Sequence, residues 1–337
     1  MLFPNTYDIL NKRIFTHNQA ELVPIRYEDR LLIMKWRNEQ MYHLRQSQPL
    51  DQDNQDKYFK ETVSKLFKKI NPEQLLFSYL ENSELVGYGG LVHIDWEKRK
   101  AEVSFIMNTE LEKDYFDHHW SNYLHLIERV AFDDLLFNSI HTYAYDLRPH
   151  LYKTLENNGY RIVTHLKDEI TIQNQLKDVL IHQKNNPITI RNAKKSDLQT
   201  LFQWSNDPIT RINSYNIEPI TFENHTVWYQ KQLDSDTATV YILMNRNSPF
   251  GVVRFEKNHD HSVIGITTAP KSRGKGLSAT MLNIACRTYR SISIKPIYAY
   301  IKEENIASIK SFQRSKFIFE KKIEQKRIPS VLYIRRE

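Results

Sequence analysis

The sequence repeats a short pattern after 168 residues, as expected of a duplicated domain. Glu28–Glu39 reads EDRLLIMKWRNE and Ser196–Asp207 reads SDLQTLFQWSND, with an Asp, a Trp and an Asn at matching positions. An Ile-Arg pair precedes each copy, and apolar residues follow at helical spacing. We therefore expect each half of the chain to open with a strand and then a helix, with Asp29 or Asp197 as the helix N-cap.

A second similarity lies late in each half and supports the duplication. Tyr-Ala-Tyr occurs at Tyr143–Tyr145 and again at Tyr298–Tyr300, followed in both places by a segment with helical spacing. A length of 337 residues suits two domains. Because Lys184–Pro187 is polar and ends in proline, we place the linker there and the two domains at residues 1–185 and 186–337.

The second half predicts an α/β fold of the α+β kind. Strands before and after a central helix indicate a mixed sheet with helices on both faces. The predicted strands are Ile188–Arg191, Val240–Asn245, Phe250–Lys257, Ser262–Thr268, Lys295–Ile301 and Val331–Arg335. The predicted helices are Asp197–Asn206, Phe222–Leu233, Leu277–Arg290 and Ile306–Arg314.

Composition excludes several classes of protein. No apolar run approaches the roughly 18 residues of a membrane span, and the first residues lack the apolar core of a signal peptide, so we expect a cytoplasmic protein without a membrane partner. The single cysteine, Cys286, cannot form an internal disulfide, and we expect it to be a small buried hydrophobe in a helix. His118 and His119 are adjacent, and adjacent helical residues point about 100° apart. We therefore assign no metal.

Positive charge is concentrated in the second half. Residues 1–186 carry 23 Lys and Arg against 27 Asp and Glu, and the remainder carries 24 against 13, so the net charges are −4 and +11. The basic residues lack the interleaved aromatic residues of an RNA-binding sheet. A polyanionic small ligand explains the asymmetry at least as well as a nucleic acid does, and we expect no nucleic-acid partner.

The segment Lys271–Leu277, KSRGKGL, has the composition of an anion-binding loop. A strand ends before it and a helix begins after it. Gly274 and Gly276 allow a tight turn and the close approach of a ligand, while the free N–H groups of the first helical turn attract an anion. Three basic side chains add positive charge. The patterns of the Walker loop and of the dinucleotide-binding loop are both absent.

Together with a later segment, this loop resembles the GNAT superfamily of acyl-CoA acyltransferases. The pyrophosphate loop of that superfamily reads Gln/Arg-x-x-Gly-x-Gly/Ala, and Lys271–Gly276 reads Lys-Ser-Arg-Gly-Lys-Gly. Its later motif reads Asn-x-x-Ser/Ala-x-x-x-Tyr, where this chain has Asn305, Ser308 and Phe312. The resemblance covers about Ile188–Ile334. It implies two tandem GNAT-like domains, each a mixed, mostly antiparallel sheet flanked by helices.

The resemblance implies an acetyl-CoA-dependent N-acetyltransferase. The backbone N–H groups of Arg273–Leu277 would bind the coenzyme A pyrophosphate, and Asn305 would contact the pantetheine arm or a water beside it. The cofactor-binding residues that it implies are Thr268, Lys271, Ser272, Arg273, Gly274, Lys275, Gly276, Leu277, Asn305, Ser308 and Phe312. Many relatives carry a proton-donating tyrosine where this chain has Phe312, which has no hydroxyl to act as a general acid.

On the acceptor side, Thr200–Arg211 and Glu223–Tyr229 are similar to acetyltransferases that modify amino-sugar nucleotides of bacterial surface polysaccharides. That similarity implies a small-molecule amine as substrate, with contacts from Asn206, Asp207, Arg211 and His225. The catalytic candidates are Glu256 and His225 as bases, and Asn305. Structural roles at a helix end or a strand end remain alternatives for these residues.

Two other functions stay open. One is acetylation of a protein N-terminus or of a xenobiotic amine. The other is a non-catalytic module that binds acyl-CoA, which the absence of a hydroxyl at Phe312 would suit. The acceptor and the oligomeric state are not predicted.

The first half has no glycine at the corresponding loop. Ala101–Phe132 reads as a strand and then a helix, and carboxylates that would repel a pyrophosphate crowd the turn. These carboxylates are Glu110, Glu112, Asp114 and Asp117. The half keeps Glu102, Arg148, Tyr152 and Gly159-Tyr160, and it resembles a GNAT domain with a degenerate loop. It would form an acceptor surface or only stabilise its partner.

Overall fold

Two mixed β-sheets, one in each half of the chain, form the frame of the computed structural model, which describes residues 3–172 and 174–336. The chain divides into the units Met1–Asn186 and Pro187–Glu337. Each sheet is flanked by helices, which confirms the predicted fold class.

The N-terminal unit holds an eight-stranded sheet in the order β1-β2-β3-β4-β5-β6-β8-β7. Its strands are β1 Phe15–His17, β2 Ala20–Pro24, β3 Leu75–Glu81, β4 Glu84–Asp95, β5 Lys100–Met107, β6 Ser139–Tyr145, β7 Arg161–Ile172 and β8 Gln175–Asn185. Its helices are α1 Arg30–Glu39, α2 Gln52–Tyr58, α3 Ser64–Leu66, α4 Thr109–Glu128 and α5 Pro149–Asn157. Strands β5 and β6 pair in parallel, and the other neighbours pair antiparallel.

The C-terminal unit holds a seven-stranded sheet in the order β14-β15-β13-β12-β11-β10-β9. Its strands are β9 Ile188–Asn192, β10 Ala238–Asn245, β11 Ser248–Lys257, β12 Ser262–Thr268, β13 Ile297–Lys302, β14 Ile318–Gln325 and β15 Ile328–Arg335. Its helices are α6 Leu198–Ser205, α7 Pro208–Asn213, α8 Phe222–Leu233, α9 Leu277–Arg290 and α10 Ile306–Gln313. Here β12 and β13 form the parallel pair.

The repeated Asp has a different role from the one predicted. The side chain of Asp29 makes no cap hydrogen bond to α1 and accepts two hydrogen bonds from the guanidinium of Arg26, each 2.7 Å long. Asp197 likewise accepts from Arg191 at 2.7 and 2.8 Å. A short 3₁₀ turn precedes each helix and places the Asp beside the Arg of the preceding strand. Each Asp thus stands at the predicted N-cap position, but its carboxylate forms a bidentate ion pair and does not cap the helix.

The repeated Asn holds a loop in both units. The side chain of Asn206 accepts from the Ile220 N–H and donates to the Ile220 carbonyl, both at 2.8 Å. Asn38 makes the same two bonds to Leu50, at 2.7 and 2.8 Å. The repeated Asn therefore has a structural role in both units: it fixes the chain that follows the first helix.

Alternate residues of β11 face different helices. Phe255 stacks on Tyr289 of α9 with ring centroids 4.0 Å apart, and a Cβ at Gly251 would lie 2.1 Å from a methionine methyl group of α9. Val252 lies between them along the strand and packs in a cluster with Trp204 of α6. Because side chains alternate between the faces of a sheet, α9 covers one face, and α6 and α8 cover the other.

Most predicted elements of this unit are present, and α8, β12 and α9 have the predicted bounds. The strand predicted at Lys295–Ile301 instead runs Ile297–Lys302, and the final strand begins earlier than predicted. The short helix α7 and the strand β14 were missed. Cys286 is fully buried as predicted, and burial raises the pKa of its thiol to about 12. Across the described residues, no helix is both long and apolar enough to cross a membrane.

His182 makes the stability of the N-terminal unit depend on pH. Its side chain is fully buried and stacks on Tyr152, with ring centroids 5.3 Å apart. Neither ring nitrogen has a hydrogen-bond partner among the described residues. Burial lowers the pKa of this imidazole, so the unfolded state takes up a proton below about pH 6.5 that the folded state resists. Its contribution to stability is complete above that pH and is lost as the pH falls.

We expect His182→Phe, which keeps the stacked ring and cannot titrate, to reduce this loss. Between about pH 7 and pH 5, the free energy of unfolding should fall less steeply, by up to about 1.4 kcal/mol per pH unit. Urea denaturation of both proteins at the two pH values measures the difference. If the free energy of unfolding falls equally steeply with pH in the variant and the parent, His182 is not the source of the pH dependence.

Candidate active site

A cleft opens where the two parallel strands of the C-terminal unit diverge. Strands β12 and β13 pair at Ser262–Ile297 and Val263–Tyr298. The cleft has a volume of about 660 Å³, and Ile264–Thr268 and Tyr300–Lys302 line its two sides. Backbone groups along such an edge have no neighbouring strand beside them and can bind a ligand instead.

The direction of hydrogen bonding along β12 shows which N–H groups face the cleft. The N–H of Ser262 donates to the segment before β13, and the N–H of Ala269 donates toward β11. Because N–H groups alternate in direction along an antiparallel strand, those of Ile264, Ile266 and Thr268 point toward the cleft. They form a row of donors beside the site.

The glycine loop lies at one end of this row. Gly274 and Gly276 have φ values of 75° and 71°, the left-handed region that side chains disfavour. A Cβ at either position would have no atom within 4 Å, so both glycines border open space. Helix α9 begins at Leu277, and its N-cap, Gly276, provides no side-chain cap. The N–H groups of its first turn are therefore available to an anion.

The side chain of Arg273 is held by the protein. Its Nη1 lies 2.6 Å from Oδ1 of Asp207, and its Nη2 donates to the Thr210 hydroxyl at 2.9 Å. Burial tends to raise the pKa of Asp207, but the hydrogen bond from Arg273 and two backbone N–H bonds outweigh it and lower that pKa. The structure thus pairs a predicted cofactor residue with a predicted substrate residue. At the loop, the side chains of Lys271 and Lys275 are exposed.

A buried lysine, which the sequence analysis missed, holds α7 from the other side of the cleft. Lys302 of β13 is 6% exposed, and its Nζ donates to the Ile212 carbonyl at 2.6 Å. Arg273 follows β12 and Lys302 belongs to β13, so α7 is bound from both of the diverging strands. Alternation along β13 puts Lys302 on the face of Tyr298 and Tyr300 rather than with the buried apolar residues of the strand, so nothing in the sequence indicated its burial.

The later motif residues border the cleft, with side chains already in use. Asn305 caps α10, its Oδ1 accepting from the Ser308 N–H at 3.1 Å. The hydroxyls of Thr268 and Ser278 are 3.1 Å apart. Phe312 is buried, lines the cleft and meets a second phenyl ring edge-on. In this structure the Oδ1 of Asn305 caps α10, and the residue borders the cleft, where the predicted cofactor contact would lie.

Three predicted substrate residues have structural contacts instead. Asn206 holds Ile220 as described above. The Arg211 guanidinium donates to the Glu218 carbonyl at 3.0 Å and to the Ser214 hydroxyl at 2.8 Å, within its own loop. His225 is 2% exposed among the aromatic rings of α6 and α8, and burial lowers its pKa. A ring so enclosed cannot reach an acceptor amine, so we correct its assignment as a base.

Glu256 lies at the opposite end of the cleft from the glycine loop. It is exposed on β11 opposite Val263, where β12 and β13 still pair. Arg254, two residues earlier, points to the same face and lies over the ring of Trp228 at 5.2 Å. Sequence reasoning missed other polar residues that line the cleft, which are Tyr215, Gln232, Arg254, Tyr300, Gln325 and Lys326.

The corresponding helix of the N-terminal unit is capped by the protein itself. The side chain of Asn108 accepts from the Glu110 N–H at 3.1 Å and caps α4. Glu112, in the first turn, lies 3.6 Å from the guanidinium of Arg148. Both contacts place protein groups where the C-terminal unit leaves open space.

The two halves match family models with the same description. The description "Acetyltransferase (GNAT) domain" applies to a match over residues 22–181 and to a second match over residues 188–318. The chain belongs to the GNAT acetyltransferase family and carries two such domains in tandem. The matches confirm the predicted superfamily and the predicted tandem arrangement.

One curated relative of this tandem GNAT protein is an uncharacterized protein of Methanocaldococcus jannaschii, 24% identical over 200 residues. The match covers 57% of this chain and 40% of the relative, so the chain spans less than half the length of that protein.

Solved structures with a similar fold include single acetyltransferases. An aminoglycoside acetyltransferase in complex with coenzyme A and kanamycin is 17% identical, with a TM-score of 0.40, over 44% of this chain and 94% of that one. Spermidine N-acetyltransferase from Vibrio cholerae in complex with CoA and spermine is 21% identical, with a TM-score of 0.41, over 44% and 95%. A domain from Methanocaldococcus jannaschii is 26% identical, with a TM-score of 0.39, over 44% and 96%.

We expect Gly276→Asp to weaken coenzyme A binding by at least about tenfold, or about 1.4 kcal/mol. Like charges about 4 Å apart repel by roughly 1 to 4 kcal/mol, depending on how wet the site is. Gly276→Asn is the matched control, because asparagine has the same shape, tolerates the left-handed region and carries no charge. Calorimetry with coenzyme A measures the affinity of each variant. Equal binding by the Asp variant and the parent would remove this loop from the site.

Proposed function

We propose that the C-terminal domain, residues 186–337, transfers the acetyl group of acetyl-CoA to the amine of a small molecule in the cytoplasm. The observation that carries the proposal is the alignment of three features: an uncapped helix N-terminus, two left-handed glycines, and a row of backbone donors along β12. Such an arrangement suits a ligand with a pyrophosphate at one end and an amide-containing chain behind it.

In this proposal the N–H groups of Arg273–Leu277 bind the pyrophosphate, with Lys271 and Lys275 adding charge. The pantetheine arm lies along β12, where its amides pair with cleft-facing backbone groups. A cleft-facing N–H of β12 would then stabilise the oxyanion that forms when the amine attacks the thioester. The N-terminal domain, with Asn108 capping α4, would not bind coenzyme A in this way.

The leaving group needs no acid from the protein. The thiol of coenzyme A has a pKa near 8.5, so its thiolate leaves readily without protonation. Phe312 supplies only apolar surface to this part of the cleft, which fits departure as the thiolate. The acceptor amine must lose a proton, and Glu256, exposed at the cleft wall, is the carboxylate placed to orient the amine or to accept its proton through water.

The charges that line the cleft favour an anionic acceptor. Arg254 lies two residues before Glu256 on β11, Lys326 lies in the turn between β14 and β15, and Glu256 is the acidic side chain that borders the cleft among the described residues. A polyamine would meet more positive than negative charge there, whereas an amine that also carries phosphate would meet both signs. This balance supports an amino-sugar nucleotide as the acceptor.

An acetyl-transfer assay across acceptor classes tests this choice. We expect thiol release from acetyl-CoA with nucleotide-linked amino sugars and much slower release with spermidine, kanamycin or an N-terminal peptide. Arg254→Gln should raise the KM for the anionic acceptor about tenfold with little change in kcat, because a lost ground-state contact acts on binding. Lys257→Gln is the matched control, an exposed cation of β11 outside the cleft lining. Coenzyme A binding without turnover on any amine would favour a non-catalytic module.

We expect Phe312→Tyr to keep activity within about tenfold of the parent, or to raise it, because the added hydroxyl supplies an acid that the reaction does not require. Steady-state kinetics on the folded variant measure the effect. A loss beyond about tenfold, or 1.4 kcal/mol of transition-state stabilisation, would mean that the cleft cannot accommodate a hydroxyl at this ring.

A further inference from the structure

A carboxylate from one element meets two histidines from another in the N-terminal domain. Glu81 is the last residue of β3, and His118 and His119 belong to α4. The His118 Nε2 lies 2.6 Å from Oε1 of Glu81, and the His119 Nδ1 lies 3.9 Å from Oε2. The three possible ligand atoms lie within 4.8 Å of one another.

We propose that Glu81, His118 and His119 form a binding site for a divalent transition-metal ion, with Zn²⁺ as the best-suited ion. Two imidazole nitrogens and one carboxylate oxygen are a ligand set that Zn²⁺ commonly takes, with water completing a tetrahedron. Ligands about 2.0 to 2.1 Å from the ion would be separated from one another by roughly 3.3 Å. The two nitrogen–oxygen distances in this structure, 2.6 and 3.9 Å, lie on either side of that value. Small side-chain rotations would bring both close to it.

Although their side chains diverge on the helix, His118 and His119 both reach Glu81 of β3, because each uses a different ring nitrogen. His118 presents its outer nitrogen, Nε2, and His119 presents its inner nitrogen, Nδ1, to the same carboxylate. The two rings are 5.0 Å apart at their centroids and inclined by 74°, so neither blocks the other. Spacing along the helix alone does not reveal a carboxylate that a strand contributes, so no metal could be assigned from the sequence.

The surroundings suit metal ligands. His119 is buried, with a side chain that is 3% exposed, while Glu81 is partly exposed, so an ion bound between them would be partly shielded from water. The hydroxyl of Tyr79 lies 3.4 Å from Nδ1 of His119, and the amide of Asn122 lies 3.3 Å from Nε2 of His118. On metal binding, the ring nitrogens would exchange these long contacts for the ion, and Tyr79 and Asn122 would remain as polar neighbours of the ligands.

A second pair of a histidine and a carboxylate resembles the proposed site but has no second histidine. His165 lies against Asp178 with its Nε2 2.5 Å from the carboxylate, at an exposed position of β7 and β8. It reproduces the contact between His118 and Glu81 without a second histidine. A single imidazole and a single carboxylate bind Zn²⁺ far more weakly than three ligands, so His165 is the control for adventitious binding.

Titration of Zn²⁺ into the tag-free, full-length protein after chelator dialysis tests the proposal. Calorimetry should show one strong site per chain. Glu81→Gln, which keeps the shape of the side chain, and His118→Ala, at an exposed position, should each weaken that site at least thirtyfold, about 2 kcal/mol by the tenfold-per-1.4 conversion. His165→Ala should bind like the parent. Thermal unfolding without metal checks that each variant is folded.

Co²⁺ gives an independent readout, because a tetrahedral Co²⁺ site absorbs strongly in the visible and an octahedral one does not. We expect the visible bands with the parent and with His165→Ala, and their loss with Glu81→Gln. No strong Zn²⁺ site in the parent would overturn the proposal. So would a site that survives both Glu81→Gln and His118→Ala. Neither readout involves acetyl transfer, so the result stands apart from the proposed function.

Discussion

The cleft exists because two parallel strands pair over a short stretch and then separate. In the C-terminal unit the pairing covers Ser262 and Val263, and in the N-terminal unit it covers Lys100–Glu102. Strands that stay together satisfy each other's backbone groups, so strands that separate leave donors and acceptors facing open space. The glycine loop, the start of α9, the cap of α10 and the bound helix α7 all border that opening. A longer parallel pairing would close the site that they surround.

The two domains share a frame and differ at one helix start. The Arg-Asp ion pair and the Asn that holds a loop recur in both, and they fix the chain before and after the first helix. At the helix that follows the diverging strand, one domain has Gly276, which provides no side-chain cap, and the other has Asn108, whose side chain caps its own helix. The contacts that fix the chain around the first helix are present in both copies, while the glycine loop is present in one.

Sequence periodicity predicted elements whose ends are set locally. Helix α8 begins after Thr221, which caps it with its own side chain, and α9 begins after a left-handed glycine, so the bounds of both could be predicted. Helix α7 was missed although Asp207 caps it and a proline stands at its first position, because its six residues are too few to show a helical period; contacts to Arg273 and Lys302 also hold it. The role of the two glycines could be predicted from the sequence, because a tight left-handed turn before a helix requires residues without a side chain. The partners of Arg273 and Asn206 could not, since residue spacing does not reveal which distant group a side chain will meet.

The binding of α7 by Arg273 has a thermodynamic consequence. The backbone of this residue belongs to the glycine loop, and its side chain binds the Asp207 carboxylate that caps α7 and the Thr210 hydroxyl within α7. A ligand that shifts the loop therefore also shifts the position of α7, and a ligand that presses on α7 changes the loop. Linkage requires the two effects to be equal in free energy. If the first ligand changes the affinity for the second by some factor, the second changes the affinity for the first by the same factor.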